Sequence, residues 1–498
     1  MTSVPSPTPV TSRDFRPFII AAVALAYATF IYLYGSPFAA GSDSSGYLNS
    51  ARLLSRGEFT APIRTLPALT RPDWDFYWQQ PLGFTADHDT PRMAPTYPTG
   101  LPVHLLLAAP IVGWEKAARL VNVLNVLAAA ALLYALARHL GLNRDWALAA
   151  AAFLWACPLF IYNALQPLSD SLALTWAVAA LLCAFKSRDR WPWALAAGAT
   201  FAGAVIVRPT NLLLALPLLL ALGLSWRAWL ACGLGGLPGV AWLALYNFRT
   251  YGHALTTGYG YIGDAFAAKF IAGNLAHFAL WVPLLVSLPV ALAALALPWI
   301  KTPSRPPSTL PVLGAWLGVF VAFYAAYFCA GETWWYLRFL LPGFPAVILA
   351  GLLVAQARRP SPPRLLIVFC LAGQAFIGRS LHITDVRNEE RRYVLATRWL
   401  TAHVPAGSVV ITSQLSGAVE FYNEFVSVRT ELLPVDRLTM LNAAATAAGR
   451  QVYVALFVEE TQETFTRYLG GTWAPLGGTD DVKVWRLTSP LPFLPAPR

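Results

Sequence analysis

The sequence predicts a polytopic α-helical membrane protein of about eleven transmembrane helices, followed by a C-terminal soluble α/β domain. Three observations carry that reading. Of the 498 residues, 57% are hydrophobic and 12% charged, whereas roughly a quarter of residues are charged in a soluble domain. Long apolar stretches recur between residues 18 and 378, separated by short loops in which basic residues gather. Beyond about residue 383 the composition becomes charged and mixed, and short β-type runs alternate with helical ones.

The net charge of +11 would suggest nucleic acid in a soluble chain. Here most basic residues lie between apolar segments, where they set topology, so no nucleic-acid partner is implied. The five cysteines, Cys157, Cys183, Cys232, Cys329 and Cys370, fall in or at the ends of apolar segments without a CxxC spacing. They are read as small packing residues, with neither disulfide nor zinc implied.

Taken in order, residues 1–16 form a Pro/Ser/Thr-rich cytoplasmic tail expected to be disordered, with Arg13 and Arg16 before the first span at 18–34. That span resembles a signal peptide ahead of Phe38-Ala39-Ala40, but its apolar core exceeds the roughly 7–15 residues of a signal h-region, so it is read as retained. A polar, aromatic-rich loop covers 41–96 and includes Arg64, Arg71, Asp73, Trp74, Asp75, Tyr77 and Trp78. Within it, 47–56 reads as a short amphipathic surface helix. The segment 103–112 is too short to cross a hydrocarbon core, which takes about 20 residues, and is read as re-entrant or interfacial.

Further spans are predicted at 118–137, 146–165, 168–185, 192–207, 211–224, 228–248, 275–300, 310–330, 339–357 and 365–378. If 103–112 does not cross, the basic clusters all fall inside. These are Arg138 with Arg144, Lys186 with Arg188 and Arg190, Arg227, Lys301 with Arg305, and Arg358 with Arg359 and Arg364. Single basic residues such as Arg208, Arg249 and Arg338 then lie outside. Residues 17–382 thus make one membrane domain, and an odd span count puts the 383–498 domain on the same extracytoplasmic side as the 41–96 loop. In that C-terminal part, helices at 390–403, 415–422, 437–448 and 460–469 alternate with strands at 409–413, 425–428 and 451–457, and a last strand pair surrounds Gly477-Gly478. This alternation predicts a largely parallel sheet. Gly470-Gly471 and Gly477-Gly478 are read as turns, since neither GxGxxG nor a P-loop is present.

Polar residues at the outer ends of apolar spans are costly and mark a site by default. Four clusters qualify. Asp43 follows the first span, and Asp170 sits in the break Gln166-Pro167-Leu168-Ser169-Asp170, where it suits an N-cap equally well. Arg208 ends a span before Pro209, a position that snorkelling would also explain. Glu332, Trp335 and Arg338 lie together between two spans, and an aromatic belt accounts for the tryptophans but not for Glu332. Carboxylates, arginines and aromatic rings at one interface suit a ligand with a sugar to stack and a phosphate to pair. The loop 249–269, with Tyr251, His253, Tyr259 and Tyr261, could close over such a ligand. Asp87-His88-Asp89 would offer metal donors, but three adjacent residues in an extended loop rarely face one ion, and no metal or other cofactor is assigned.

The ordered motifs resemble the GT-C superfamily of membrane glycosyltransferases, bacterial relatives of the protein O-mannosyltransferase and lipid A aminoarabinose transferase families. The matching residues are Asp43 with 47–52, Tyr97-Pro98-Thr99-Gly100, Ala118-Arg119-Leu120-Val121-Asn122, Pro167-Leu168-Ser169-Asp170, Arg208-Pro209-Thr210 and 334–339. The resemblance covers roughly the first 380 residues. It implies sugar transfer from a polyprenyl-phosphate donor to a hydroxyl of a lipid, glycan or protein acceptor at the outer face of a bacterial cytoplasmic membrane. Asp43 would then be the general base, and Tyr47, Arg52, Tyr97, Asp170, Arg208, Tyr259, Glu332, Trp335 and Arg338 would bind substrate. Many members carry two adjacent acidic residues in the first loop. Here Ser44 follows Asp43, which implies a lone base without a metal. The rival class is a transporter or flippase of lipid-linked sugars, but such proteins usually carry repeated halves and midplane helix breaks, and no repeat is visible here.

Overall fold

The computed structural model describes residues 15–69, 73–300, 306 and 308–490. The expected tail up to residue 14, Arg71, and the basic pair Lys301 and Arg305 lie outside the described residues. The chain opens with α1 (Arg16–Tyr34), α2 (Gly41–Ser55) and the short strands β1 (Ala61–Pro62), β2 (Phe84–Ala86) and β3 (Arg92–Pro95). The helices α3 (Gly100–Val112), α4 (Trp114–His139), α5 (Arg144–Ala156), α6 (Pro158–Ala164), α7 (Asp170–Lys186), α8 (Pro192–Val207), α9 (Ala215–Leu222) and α10 (Trp226–Tyr251) follow. Next come α11 (Ile271–Val286), α12 (Leu288–Leu295), α13 (Thr309–Tyr324), α14 (Phe344–Arg358) and α15 (Arg364–Ser380).

Among the described residues, five helices are long and apolar enough to cross a membrane, or six if the bent pair α5 and α6 counts as one span. The expected count of eleven is not reproduced on these criteria, and breaks between helices explain much of the difference. The predicted span at 146–165 bends by 61° between α5 and α6, where Pro158 cannot donate a hydrogen bond to the preceding turn. The predicted span at 275–300 breaks at Ser287, whose φ of 111° lies outside the helical region, just before Pro289. The one predicted at 211–224 begins as the 3-10 turn Pro209–Leu214 and only then becomes α9.

The expected surface helix at 47–56 is longer and more deeply placed. It is α2, starting at Gly41 and buried from Ser44 to Ala51, packed between α3 and the C-terminal part of the chain. Small residues permit this. A Cβ on Gly46 would stand 2.5 Å from the Tyr97 ring and 2.9 Å from Gly83 Cα. Gly83 itself holds a φ of +89°, open to glycine at little cost. Gly46→Val is therefore expected to lower stability by about 1–3 kcal/mol, the usual cost of overpacking. An unchanged thermal midpoint in detergent would contradict this close approach.

The C-terminal part contains α16 (Val386–His403), β4 (Val409–Thr412), α17 (Ser416–Tyr422), β5 (Val426–Arg429), α18 (Leu438–Ala447), β6 (Val452–Phe457), α19 (Val458–Arg467), β7 (Thr472–Gly478) and β8 (Val482–Ser489). Its strands form one sheet in the order β5-β4-β6-β8-β7. The sheet is less parallel than expected: β4 pairs parallel with β5 and β6, whereas β6–β8 and β8–β7 are antiparallel. Only residues 479–481 join β7 to β8, and a connection that short permits a hairpin but no parallel crossover. One face of this sheet shares a core with the first loop, where Leu66, Trp74 and Phe76 meet Val409, Ile411 and Val428. The 41–96 loop thus packs with the C-terminal sheet as well as with the helices.

That seam contains a carboxyl whose ionisation opposes folding. Glu420 pairs with Arg64 at 3.2 Å, but burial outweighs the arginine and pushes the Glu420 pKa up to about 7. The folded state holds this proton more tightly than the unfolded chain, so stability declines as pH rises from the ordinary glutamate range to about 7, and is level above that. Glu420→Gln is expected to flatten this slope and raise the thermal midpoint at pH 8. A variant whose midpoint follows pH as the wild type does would refute the assignment.

Candidate active site

Four elements bring alternating charges into a row. Asp43 lies in the first turn of α2, and its Oδ2 accepts a hydrogen bond from Arg338 Nη1 at 2.7 Å. Arg338 belongs to the 3-10 turn Trp334–Phe339, and the same Nη1 lies 4.0 Å from Asp170 Oδ2. Asp170, the first residue of α7 and 2% exposed, pairs through Oδ1 with Arg208 at the C-terminal end of α8. Asp170 does not cap its helix; it answers Arg208. Charges this deep persist only when paired, because desolvating a lone one costs several kcal/mol. The Phe339 ring supports both cations, 5.3 Å from the Arg208 guanidinium and 5.6 Å from that of Arg338.

Tyrosines line the flank of this row. The Tyr97 hydroxyl is 2.7 Å from Ser42 Oγ and also bonds the Asp43 carboxylate. Tyr47 pairs with Ser169 Oγ at 2.7 Å and packs its ring 5.0 Å from Tyr97. Tyr259, 45% exposed on the 249–269 loop, meets Tyr97 edge-on at 6.0 Å. Burial alone would raise the Asp43 pKa, but Arg338, Tyr97 and Arg208 together hold it below the ordinary aspartate value. The opposite holds for Arg338: burial alone would loosen its proton, but Asp43, Tyr47 and Tyr97 together hold it more firmly than usual.

Beside the Asp43–Arg338 pair opens a cavity of about 310 Å³, lined among others by Asp43, Tyr162, Trp335, Arg338, Glu390 and Tyr393. The last two come from α16, which sequence reasoning left outside the site. A signal was available: Glu390 shares the face of Val386, Tyr393, Thr397 and Leu400, all buried, so a carboxylate stands on the buried side of an amphipathic helix.

The other predicted site residues are placed differently. Trp335 is 40% exposed on the cavity rim. Glu332 is exposed and does not line the cavity. Arg52 turns away from Asp43: its Nη1 donates to the Phe421 carbonyl at 2.8 Å and its guanidinium stacks 3.5 Å above the Phe421 ring, fastening α2 to α17. About two and a half helical turns along α2 put it on the opposite face from Asp43 and out of reach of the cavity. His88 Nδ1 lies 2.9 Å from the Asp75 carboxylate, while Asp87 accepts from Thr90 and Asp89 N–H within its own turn. Among the described residues no three His, Cys, Asp or Glu side chains converge as metal ligands would.

The comparisons with known proteins agree with the fold. A family model described as dolichyl-phosphate-mannose-protein mannosyltransferase matches residues 106–250, a stretch that includes Asp170 and Arg208. The structure is similar to that of ArnT from Cupriavidus metallidurans bound to undecaprenyl phosphate, with a TM-score of 0.59, 14% identity, and coverage of 98% of this chain and 100% of that one. It is also similar to arabinofuranosyltransferase AftD from Mycobacteria, at a TM-score of 0.54 and 12% identity, covering 96% of this chain and 40% of that one. No curated protein matches the sequence.

Proposed function

We propose that this chain, which carries the GT-C membrane glycosyltransferase fold, moves a sugar from a polyprenyl-phosphate donor to an acceptor hydroxyl at the outer face of a bacterial cytoplasmic membrane. One observation supports this above the others: a carboxylate in direct contact with an arginine, Asp43 with Arg338 at 2.7 Å, on the wall of a cavity. Asp43 takes the proton of the acceptor hydroxyl as its oxygen bonds to the anomeric carbon. The bond from that carbon to the phosphate oxygen breaks, and polyprenyl phosphate leaves. Arg338 and Arg208 stabilise the charge that grows on the leaving phosphate. Donor binding also readies the base. A phosphate drawn to Arg338 competes with Asp43 for it, and a carboxylate relieved of that cation binds a proton more tightly.

In this reading the eleven expected spans include the short and broken helices, and both residues 41–96 and 383–498 face outward. The test is direct. The purified chain in detergent is given polyprenyl-phosphate sugars and an envelope extract, and release of the lipid phosphate with sugar transfer is followed. Release coupled to transfer is the expected result. Translocation of intact donor in vesicles without release would point to a transporter or flippase instead.

A further inference from the structure

We infer that the acceptor binds against α16, where Glu390 hydrogen-bonds a hydroxyl-rich saccharide acceptor, so that the C-terminal part of the chain sets acceptor specificity. This rests on the transferase reading above. The Asp43–Arg338 pair has two distinct surroundings. Arg208, Asp170, Tyr47, Tyr97 and Tyr259 gather at one of them, and none lines the cavity. At the other is the cavity, walled by Glu389, Glu390, Arg392 and Tyr393 of α16. Displacement with inversion brings the entering oxygen to the face of the sugar opposite the leaving group. A phosphate held toward Arg208 therefore leaves the α16 side for the acceptor, with Asp43 between the two.

The groups on α16 are incompletely bonded, as an unfilled binding surface would be. Ser36 and Ser44 are the hydroxyls that face the Glu390 carboxyl, Ser44 Oγ donating to Oε1 at a long 3.4 Å, while the buried Oε2 and Arg392 Nε make no hydrogen bond of ordinary geometry among the described residues. Arg392 is otherwise engaged, with Nη1 2.6 Å from Glu459 and its guanidinium 4.3 Å above the Phe457 ring. Burial outweighs the Ser36 and Ser44 hydroxyls and pushes the Glu390 pKa up to about 8, and a protonated carboxyl can both donate and accept, as a sugar hydroxyl does. No charge match between α16 and a particular acceptor is needed for this.

The experiment uses the full purified chain, the polyprenyl-phosphate sugar it consumes, and an envelope extract split into lipid and water-soluble fractions. The fraction that accepts sugar tells a glycolipid headgroup from a free glycan. Glu390→Leu is expected to raise the half-saturating amount of that fraction at least tenfold and to leave the donor KM and undecaprenyl-phosphate binding within about twofold. Glu390→Gln, which keeps a donor and an acceptor, is expected to stay close to wild type. If Glu390→Leu does not fold, Glu390→Ala replaces it under the same criteria. Acceptor saturation unchanged in Leu or Ala, an equal loss on the donor, or a Gln variant as impaired as Leu would overturn the inference while leaving the transferase reading intact. A wild-type chain that transfers sugar to neither fraction overturns both.

Discussion

Asp43→Asn is expected to cost about 10²–10⁴-fold in transfer rate, the contribution typical of a positioned general base. The amide preserves the shape of the side chain and can still accept from Arg338, so α2 and the cavity should remain intact. It cannot take the acceptor proton. Under the proposed mechanism, polyprenyl-phosphate binding should hold or tighten, because Arg338 keeps only Asp170, 4.0 Å away, as an anionic neighbour and becomes freer to meet a phosphate. Initial transfer rates and lipid-phosphate binding, measured on the same folded preparation, separate the two effects. A rate equal to wild type would remove Asp43 from the mechanism.

Breaking the inner ion pair should strike stability as well as activity. Asp170 is 2% exposed and bound to Arg208, with Arg338 as its only other cation at 4.0 Å among the described residues. Removing one partner of a buried pair typically costs about 3–5 kcal/mol, because the other charge is stranded. Asp170→Ala is thus expected to lower the unfolding midpoint in detergent sharply, and with it the transfer rate, since Arg338 then answers Asp43 alone. Asp170→Ala combined with Arg208→Met should recover part of the stability, as no charge is left stranded, but not the activity, as a phosphate ligand is missing. Full recovery of activity in the double variant would show that Arg208 has no part in binding the phosphate.

Much of the candidate site was legible because membrane chemistry makes polar residues conspicuous. Asp43, Asp170, Arg208 and Arg338 stand at the ends of apolar stretches, where each carries a desolvation cost that a purely structural helix would avoid. Their pairing was not legible, since residues 43 and 338, or 170 and 208, meet only once the helices are packed. Arg52 shows the limit from the other side. Nine residues after Asp43 on the same helix, it reads as part of the same motif, yet it is spent on the Phe421 carbonyl. Glu390 shows it again: its position on a buried helix face was visible, but the helix's partner was not.

The sequence by itself determined the class of the protein, most of the apolar stretches that form its helices, and the polar residues worth watching. These follow from local quantities: the length of an apolar run, the bias of basic loops, and the cost of a charge in hydrocarbon. Only the tertiary structure decided the continuity of the helices, the row Asp43–Arg338–Asp170–Arg208, the mixed sheet, and the union of the first loop with the C-terminal strands in one core. The physical reason is common to all four. A proline or serine shows that a helix can break but not by what angle, and a buried charge shows that it needs a partner but not which one. Partners are chosen by packing among residues tens to hundreds of positions apart.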